Sequence, residues 1–278
     1  MSKRTFLRFP FFKEKALTLS YDDGVIFDKR LVKIFQNYGL KGTFNLNSGN
    51  YGNKTYNRMT KEECVELFKN SQMEVAVHGY KHLSLAKVDV ATAIDDVITD
   101  RKELEKTFGR IVKGMAYACG SYNDKVIEIL KNCGINYART VLQTLDFELP
   151  NNWLEWHSTC HHENTNLMEL AQKFVSLTCP NRVLDYSPKV MYVWGHSYEF
   201  NNNNNWHIIE NFAELVGNRD DIWYATNGEI YDYVTAYDNL DWSVDNQMVQ
   251  NKSAIDLYIN YFGKKLVVKA GQTIRIGD

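Results

Sequence analysis

Two short polar segments contain the residue types that bind metal ions and move protons. In the first, Tyr21-Asp-Asp-Gly24, two adjacent carboxylates precede a glycine that permits a tight turn. In the second, His78-Gly-Tyr-Lys-His82, two histidines lie four residues apart, a spacing that places both imidazoles on one helical face to hold a divalent metal. Each segment also has a simpler interpretation, because aspartates often cap turns and surface histidines occur four apart by chance.

A third segment ends an apolar run with a histidine. The run from Val190 to Gly195 is typical of a buried strand, and His196 follows directly. An imidazole at a strand end can donate a proton to a leaving group, because its ordinary pKa is near neutrality, or it can simply bond the backbone at a pocket rim. One carboxylate and two histidines form a catalytic zinc set with an open position for water, and a neighbouring carboxylate can take the proton of that water. Together the three segments predict metal-assisted hydrolysis.

Short apolar runs alternate with helical periodicity along most of the chain. The clearest helix begins at Asp89, repeats apolar residues every three to four positions and ends at Gly109. Seven or eight strand–helix units of this kind predict an α/β fold, a TIM-like (β/α) barrel rather than an open sheet. The three polar segments follow predicted barrel strands, and active sites of such barrels lie at the carboxyl ends of the strands.

Two regions depart from this alternation. The asparagine run at 201–205 favours turns, so we expect a surface loop there. From about residue 243 the pattern changes to two or three antiparallel strands. We therefore expect a barrel domain at 1–242 and a C-terminal antiparallel β extension at 243–278, which would serve as a lid, a dimer contact or a small binding module.

Length, charge and cysteine content limit the class of protein. The 278 residues suffice for one large α/β domain. With a net charge of −2 the chain lacks the excess positive charge that binds nucleic acid or an anionic membrane. The five cysteines are odd in number and contain no CxxC pair, which favours reduced thiols; they are Cys64, Cys119, Cys133, Cys160 and Cys179. Neither an export signal nor an apolar stretch of membrane-span length is recognisable, so we expect a cytoplasmic protein without membrane contact.

The three segments resemble, in order, motifs one, two and five of the polysaccharide deacetylases, the NodB-type carbohydrate esterases. The resemblance covers roughly residues 15 to 235 and implies a distorted (β/α) barrel of seven or so strands. It also implies a metal-dependent hydrolase that removes acetyl groups from N-acetylated sugars or, in some members, from acetyl esters. By this resemblance Asp23, His78 and His82 are metal ligands, Asp22 is the base and His196 the acid. The ligand types favour zinc, with nickel, cobalt or another divalent ion also admissible.

Two family motifs are altered in this chain. Motif three normally supplies an arginine that holds the base, but residues 115–122 have alanine where its arginine and proline would fall, and Arg139 is the nearest substitute. Backbone N–H groups near Cys119 and Gly120 would still provide an oxyanion donor, because that function needs no particular side chain. Motif four is not recognisable, and residues 145–147 are only a loose candidate for the support of the acid.

Further histidines and aromatic residues fall near the motif loops. We expect substrate contacts from Tyr122, His161, His162 and Trp194, because sugar rings stack on aromatic side chains and bond to nearby polar groups. The expected partner is an acetylated sugar, oligosaccharide or polysaccharide. Two alternatives stay open: an amidohydrolase acting on a small non-sugar amide, and a carbohydrate-binding pseudoenzyme, which the missing motif-three arginine favours.

Overall fold

Strands and helices alternate through the chain, and the computed structural model describes residues 4–178 and 187–276. The strands are β1 (Leu7–Arg8), β2 (Lys15–Asp22), β3 (Gly42–Leu46), β4 (Glu74–Val77), β5 (Gly114–Ala116), β6 (Tyr137–Gln143), β7 (Trp156–Ser158), β8 (Cys160–His161), β9 (Lys189–Gly195), β10 (Ile222–Tyr224), β11 (Asp241–Trp242), β12 (Met248–Gln250), β13 (Leu257–Tyr261), β14 (Lys264–Val268) and β15 (Thr273–Arg275). The helices are α1 (Asp28–Asn37), α2 (Lys61–Phe68), α3 (Val90–Phe108), α4 (Asp124–Asn132), α5 (Leu167–Ser176), α6 (Ser197–Asn202), α7 (His207–Val216) and α8 (Asn227–Asp238).

The parallel strands form a ring, which confirms the predicted α/β barrel. Strands β2 to β6 pair in sequence order, and β2 pairs on its other side with β9. Residues 156–161 close the ring, because β7 pairs with β6 while β8, beginning two residues later, pairs with β9. All these pairings are parallel, so the carboxyl ends of the strands lie at one end of the barrel. Strand β10 pairs in parallel with the first three residues of β2, at the amino end of the barrel.

Local signals in the sequence set the ends of the longest helix. The Asp89 side chain accepts a hydrogen bond from the Thr92 N–H at 3.0 Å, and Gly109 ends α3 in the left-handed conformation with φ 66°. Buried side chains of α3, among them Val97 and Leu104, pack in the same hydrophobic core as the inner side chains of the strands. Helix α3 therefore forms and docks as its pattern predicts.

The asparagine run is not entirely a loop. Asn201 and Asn202 form the last residues of α6, and the turn begins only at Asn203. The expected surface loop over 201–205 is therefore wrong for its first two residues. The reason lies upstream: the His196 N–H donates to the Glu199 carboxylate at 2.9 Å, which starts a helix that runs into the asparagines.

The C-terminal strands form two small antiparallel sheets. Strand β13 pairs with β14 and, at its other edge, with β1 from the N-terminal segment, while β12 lies between β11 and β15. Buried Leu257, Ile259 and Val268 pack in one hydrophobic cluster with side chains of α8. Because β11 begins at Asp241, this β structure starts slightly before residue 243; a domain division at 242/243 stays a prediction.

Two further sequence predictions concern the cysteines and membrane-spanning helices. Cys64, Cys119, Cys133 and Cys160 are free thiols, and Cys179 lies outside the described residues. Across residues 4–178 and 187–276, the helices lack the length and apolar content that a membrane crossing requires.

Candidate metal and catalytic site

The candidate metal-binding and catalytic residues meet at the carboxyl end of the barrel. Asp22 is the last residue of β2 and Asp23 follows it; His78 follows β4 and His196 follows β9. Arg139 reaches the same end from β6. Residues separated by more than 170 positions in sequence therefore come together because parallel strands all end on one side.

A compact group of side chains that could hold a metal ion is formed by Asp23, His78 and His82. Their candidate ligand atoms lie within 4.8 Å of one another. Asp23 Oδ1 is 3.9 Å from His78 Nε2 and 3.7 Å from His82 Nε2. His78 Nδ1 lies 2.9 Å from the Ala116 carbonyl oxygen, to which it donates when its Nε2 is left free as a ligand. Burial lowers the pKa of His78, which keeps its imidazole neutral, the form that binds metal.

Two of these three residues have unusual backbone conformations. Asp23 has φ 88° and His82 has φ 58°, both in the left-handed region that residues other than glycine rarely adopt. Such conformations cost about 1–3 kcal/mol each and persist where the surrounding structure holds them. The barrel thus stabilises strained turns that aim both side chains at a common point.

Asp22 is buried and ionised next to this group. Its carboxylate contacts the Arg139 guanidinium and accepts a hydrogen bond from Asn45 Nδ2 at 2.8 Å. Burial alone would raise the pKa of Asp22, but Arg139, His78 and His196 outweigh it and lower the pKa to about 2. At neutral pH this carboxylate is therefore charged and able to accept a proton from water.

Arg139, the expected substitute for the missing motif-three arginine, contacts the Asp22 carboxylate. Its side chain is 1% exposed, and its guanidinium lies over the Trp194 ring, 4.0 Å from the ring centre. A planar guanidinium suits both contacts, a carboxylate at its edge and an aromatic face beneath it. The strand after motif three thus supplies the arginine that contacts Asp22.

His196 lies between Asp22 and a carboxylate that sequence reasoning missed. Its Nε2 is 3.9 Å from Asp22 Oδ2, and its Nδ1 is 3.3 Å from Glu199 Oε2. Burial would lower the pKa of His196, but Glu199 and Asp22 outweigh it and raise that pKa. The loose motif-four candidate is not part of this arrangement: Asp146 is exposed and caps the N–H of Glu148. The spacing of Glu199 three residues after His196 was the available signal.

The adjacent histidines 161 and 162 differ in their surroundings. His162 is buried and stacks on Phe200 with ring centres 4.0 Å apart, and burial lowers its pKa to about 3. It therefore lies in the core as a neutral ring whose Nε2 is 3.3 Å from Glu199 Oε2, and with 1% exposure it has almost no surface for the expected substrate contact. His161 is partly exposed, with Nε2 3.3 Å from Glu199 Oε2 and its ring against Trp194. A substrate contact of His161 stays a prediction.

The loop of motif three contains the expected oxyanion donors and one substrate candidate. The Gly120 N–H donates to the Tyr117 carbonyl at 3.0 Å, so it is not available as an oxyanion donor, which corrects that expectation. Cys119 is exposed, and its Sγ lies 3.9 Å from His82 Nδ1. Tyr122 stacks on Tyr117 with ring centres 4.8 Å apart, a packing contact that occupies one face of its ring.

Arg58 is a further charged residue at the site, and no motif pointed to it. Its NH2 group lies 2.8 Å from Asp23 Oδ1, and NH1 donates to the backbone carbonyl of Asp23. Thirty-five residues separate the two in sequence, so only the fold reveals the contact.

Comparison with known families agrees with this geometry. Residues 12–138 match the polysaccharide deacetylase family model, which confirms the resemblance to the NodB-type deacetylases. The matched residues include Asp22, Asp23, His78 and His82 and end directly before Arg139.

Individual relatives match over part of the chain or at low identity. Poly-beta-1,6-N-acetyl-D-glucosamine N-deacetylase of Staphylococcus aureus is 26% identical over 141 residues, which are 45% of this chain and 48% of the relative. The chain thus spans about half the length of the curated relatives it matches. Two solved structures share the fold. The CE4 domain of a multidomain xylanase from the hindgut metagenome of Trinervitermes trinervoides is 16% identical with a TM-score of 0.53, and the match covers 83% of this chain and 96% of that chain. A mutant of BA3943, described as a CE4 family pseudoenzyme with restored enzymatic activity, is 15% identical with a TM-score of 0.50, and the match covers 81% of this chain and 70% of that chain.

Proposed function

We propose that this protein is a metal-dependent deacetylase that hydrolyses the acetamido group of N-acetylated sugars. The observation that carries the proposal is the grouping of Asp23, His78 and His82 within 4.8 Å, with Asp22 and His196 beside it on the same barrel face. The named activity of the Staphylococcus aureus relative supports the choice of an N-acetylated sugar. The second candidate substrate for the same residues is an acetyl ester of a sugar.

The three-residue group fits a divalent ion. One carboxylate and two neutral imidazoles are the donors that zinc takes in catalytic sites, and the His78 contact with Ala116 leaves Nε2 free to bind. Nickel and cobalt accept the same donors. When bound, such an ion supplies Lewis acidity that polarises an acetyl carbonyl and acidifies a water molecule.

Asp22 serves as the general base in this proposal. Its charge is maintained by Arg139 and Asn45, and its position beside His78 places it within reach of a water at the metal group. Arg139 therefore acts through Asp22: it orients the carboxylate and keeps it ionised. This contact gives Asp22 an arginine partner although motif three lacks its arginine, and it thereby supports an active enzyme over a pseudoenzyme.

His196 serves as the general acid. Glu199 holds its Nδ1, so that the opposite nitrogen faces Asp22 and the reacting atoms. A protonated imidazole there donates to the departing amine nitrogen, and release of acetate completes the hydrolysis. The N–H of Cys119 remains the candidate donor to the oxyanion.

A cleft beside the metal group offers room for the sugar. It has a volume of about 270 Å³ and opens next to Asp23, between the 55–58 loop and α6. Its other lining residues include Thr55, Tyr56, Asn57, Arg58, Tyr198 and Asn202. Arg58 is paired with Asp23, and the remaining side chains are mostly aromatic or neutral polar groups, which suit an uncharged hydroxylated ring.

Acetate release tests the proposal directly. The substrates are N-acetylglucosamine, its short oligomers and acetylated xylan, with metal-stripped protein and protein restored with zinc or cobalt. We expect metal-dependent release that Asp22→Asn abolishes and that the exposed control Asp146→Asn retains. Absence of release from every substrate, by protein that binds zinc stoichiometrically, would refute the sugar deacetylase assignment.

A further inference from the structure

Asp23 Oδ1 is shared between the metal group and a second cation. This oxygen lies 3.9 Å from His78 Nε2 and 3.7 Å from His82 Nε2, and it is also 2.8 Å from the NH2 group of Arg58. A metal ion held by Asp23 and the two imidazoles would therefore bind an oxygen that already faces a guanidinium. With an ion bound, the site would place two positive charges on one carboxylate.

Arg58 is held in this position by the fold. Its side chain is about 10% exposed, and NH1 donates to the Asp23 backbone carbonyl. The backbone around it is bonded to the turn after Asp23: the Met59 N–H donates to the Gly24 carbonyl and the Ile26 N–H to the Asn57 carbonyl, both at 2.9 Å. A guanidinium restrained in this way cannot swing into solvent at little cost when a metal arrives.

We infer that Arg58 weakens metal binding at Asp23 and leaves the bound ion more electrophilic, an inference that rests on the proposed metal site. A bound metal ion and the guanidinium would repel each other, and low exposure would reduce the screening of that repulsion by water. The oxygen also donates less electron density to the metal, because part of its charge is compensated by Arg58.

Arg58 also favours metal binding by positioning Asp23, but other contacts position Asp23 as well. By binding the Asp23 carbonyl, Arg58 helps to hold the left-handed backbone of Asp23 and thereby preorganises the ligand. The Asp23 N–H, however, donates independently to the Asn45 carbonyl at 2.9 Å, and Gly24 permits the turn that follows. Loss of Arg58 would also leave Asp23 as a buried, unpaired carboxylate, which increases its demand for a metal. The charge effect should therefore exceed the positioning effect.

Zinc affinity, measured by competition with a chromogenic chelator, tests this inference without any turnover assay. Arg58→Gln and Arg58→Met remove the charge, Arg58→Lys keeps it, and Arg101→Gln is the control, because Arg101 is also a partly buried arginine that donates to backbone carbonyls. We expect the two neutral variants to bind zinc at least tenfold more tightly than wild type, and the lysine and control variants to stay within about threefold.

Tighter binding is a readout that structural damage would not produce, since a distorted site loses affinity. If Arg58→Gln and Arg58→Met bind zinc equally or more weakly than wild type, the inference is wrong and Arg58 acts mainly by positioning Asp23. If wild type and all variants bind no zinc, the metal site itself is absent and both this inference and the proposed function fail.

Discussion

Replacement of Glu199 by glutamine examines how His196 keeps its proton. Glu199 Oε2 lies 3.3 Å from His196 Nδ1 and is 20% exposed, so a pair of full charges at this distance would interact by about 5 kcal/mol at an effective dielectric constant of about 20. His161 shares the same oxygen and water reaches part of the carboxylate, which reduces the effect. An opposite charge at such distances typically shifts a pKa by about 1–3 units. We expect Glu199→Gln to lower the pKa of His196 by that amount.

The pH dependence of acetate release measures this change. A general acid must be protonated, so activity falls as the pH rises through the pKa of His196; a lower pKa moves this alkaline limb to lower pH. We expect the limb of kcat/KM in the zinc-restored Glu199→Gln variant to shift by about 1–3 pH units, equivalent to about 1.4–4 kcal/mol. The exposed Glu210→Gln serves as control, since Glu210 pairs with Arg30 on the surface.

Folded protein with an unshifted limb would refute the reasoning. In that case Glu199 would not set the proton affinity of His196, and the alkaline limb would belong to another group. Glu199→Asp should restore part of the wild-type profile, because it returns the charge at a somewhat greater distance.

Three further perturbations probe the remaining parts of the site and fold. Arg139→Met should destabilise the protein by about 3–5 kcal/mol in urea at pH 7, because it removes the guanidinium that faces the buried Asp22 carboxylate. The lowered pKa of Asp22 contributes stability above about pH 4 that is lost as the pH falls through 2, so the deficit should be smaller at pH 2. An equal deficit at both pH values would contradict this account. His82→Ala should weaken zinc binding by more than about 100-fold in the chelator assay, and unchanged affinity would remove His82 from the ligand set. Asp89→Ala should cost about 1 kcal/mol of unfolding free energy by loss of the α3 cap, whereas a cost near zero would show that packing alone holds this end.

Local patterns in the sequence predicted the barrel because each helix and strand carries its own signals. Asp89 and Gly109 mark the ends of α3 through a side-chain cap and a left-handed glycine, which depend only on nearby residues. The first two residues of the asparagine run were misassigned because the propensity of asparagine for turns is weaker than the helix start at His196 and Glu199.

The motifs likewise predicted one common position for Asp22, Asp23, His78, His82 and His196, because each lies at or within a few residues after the end of a strand and all strands of a parallel barrel end on one face. Residue type and spacing carry this information without knowledge of any long-range contact.

Tertiary structure decided the partners of these residues. Arg58 on Asp23 and Glu199 on His196 are contacts between side chains, and sequence separation does not predict which charges meet. The same holds for His162: a histidine beside a motif could line a pocket or fill the core, and only packing against Phe200 assigns it to the core. The sequence thus determined which chemistry is available and at which end of the barrel, whereas the fold determined the charges around each group, because Coulomb energies and burial depend on distances that arise only when the strands pack.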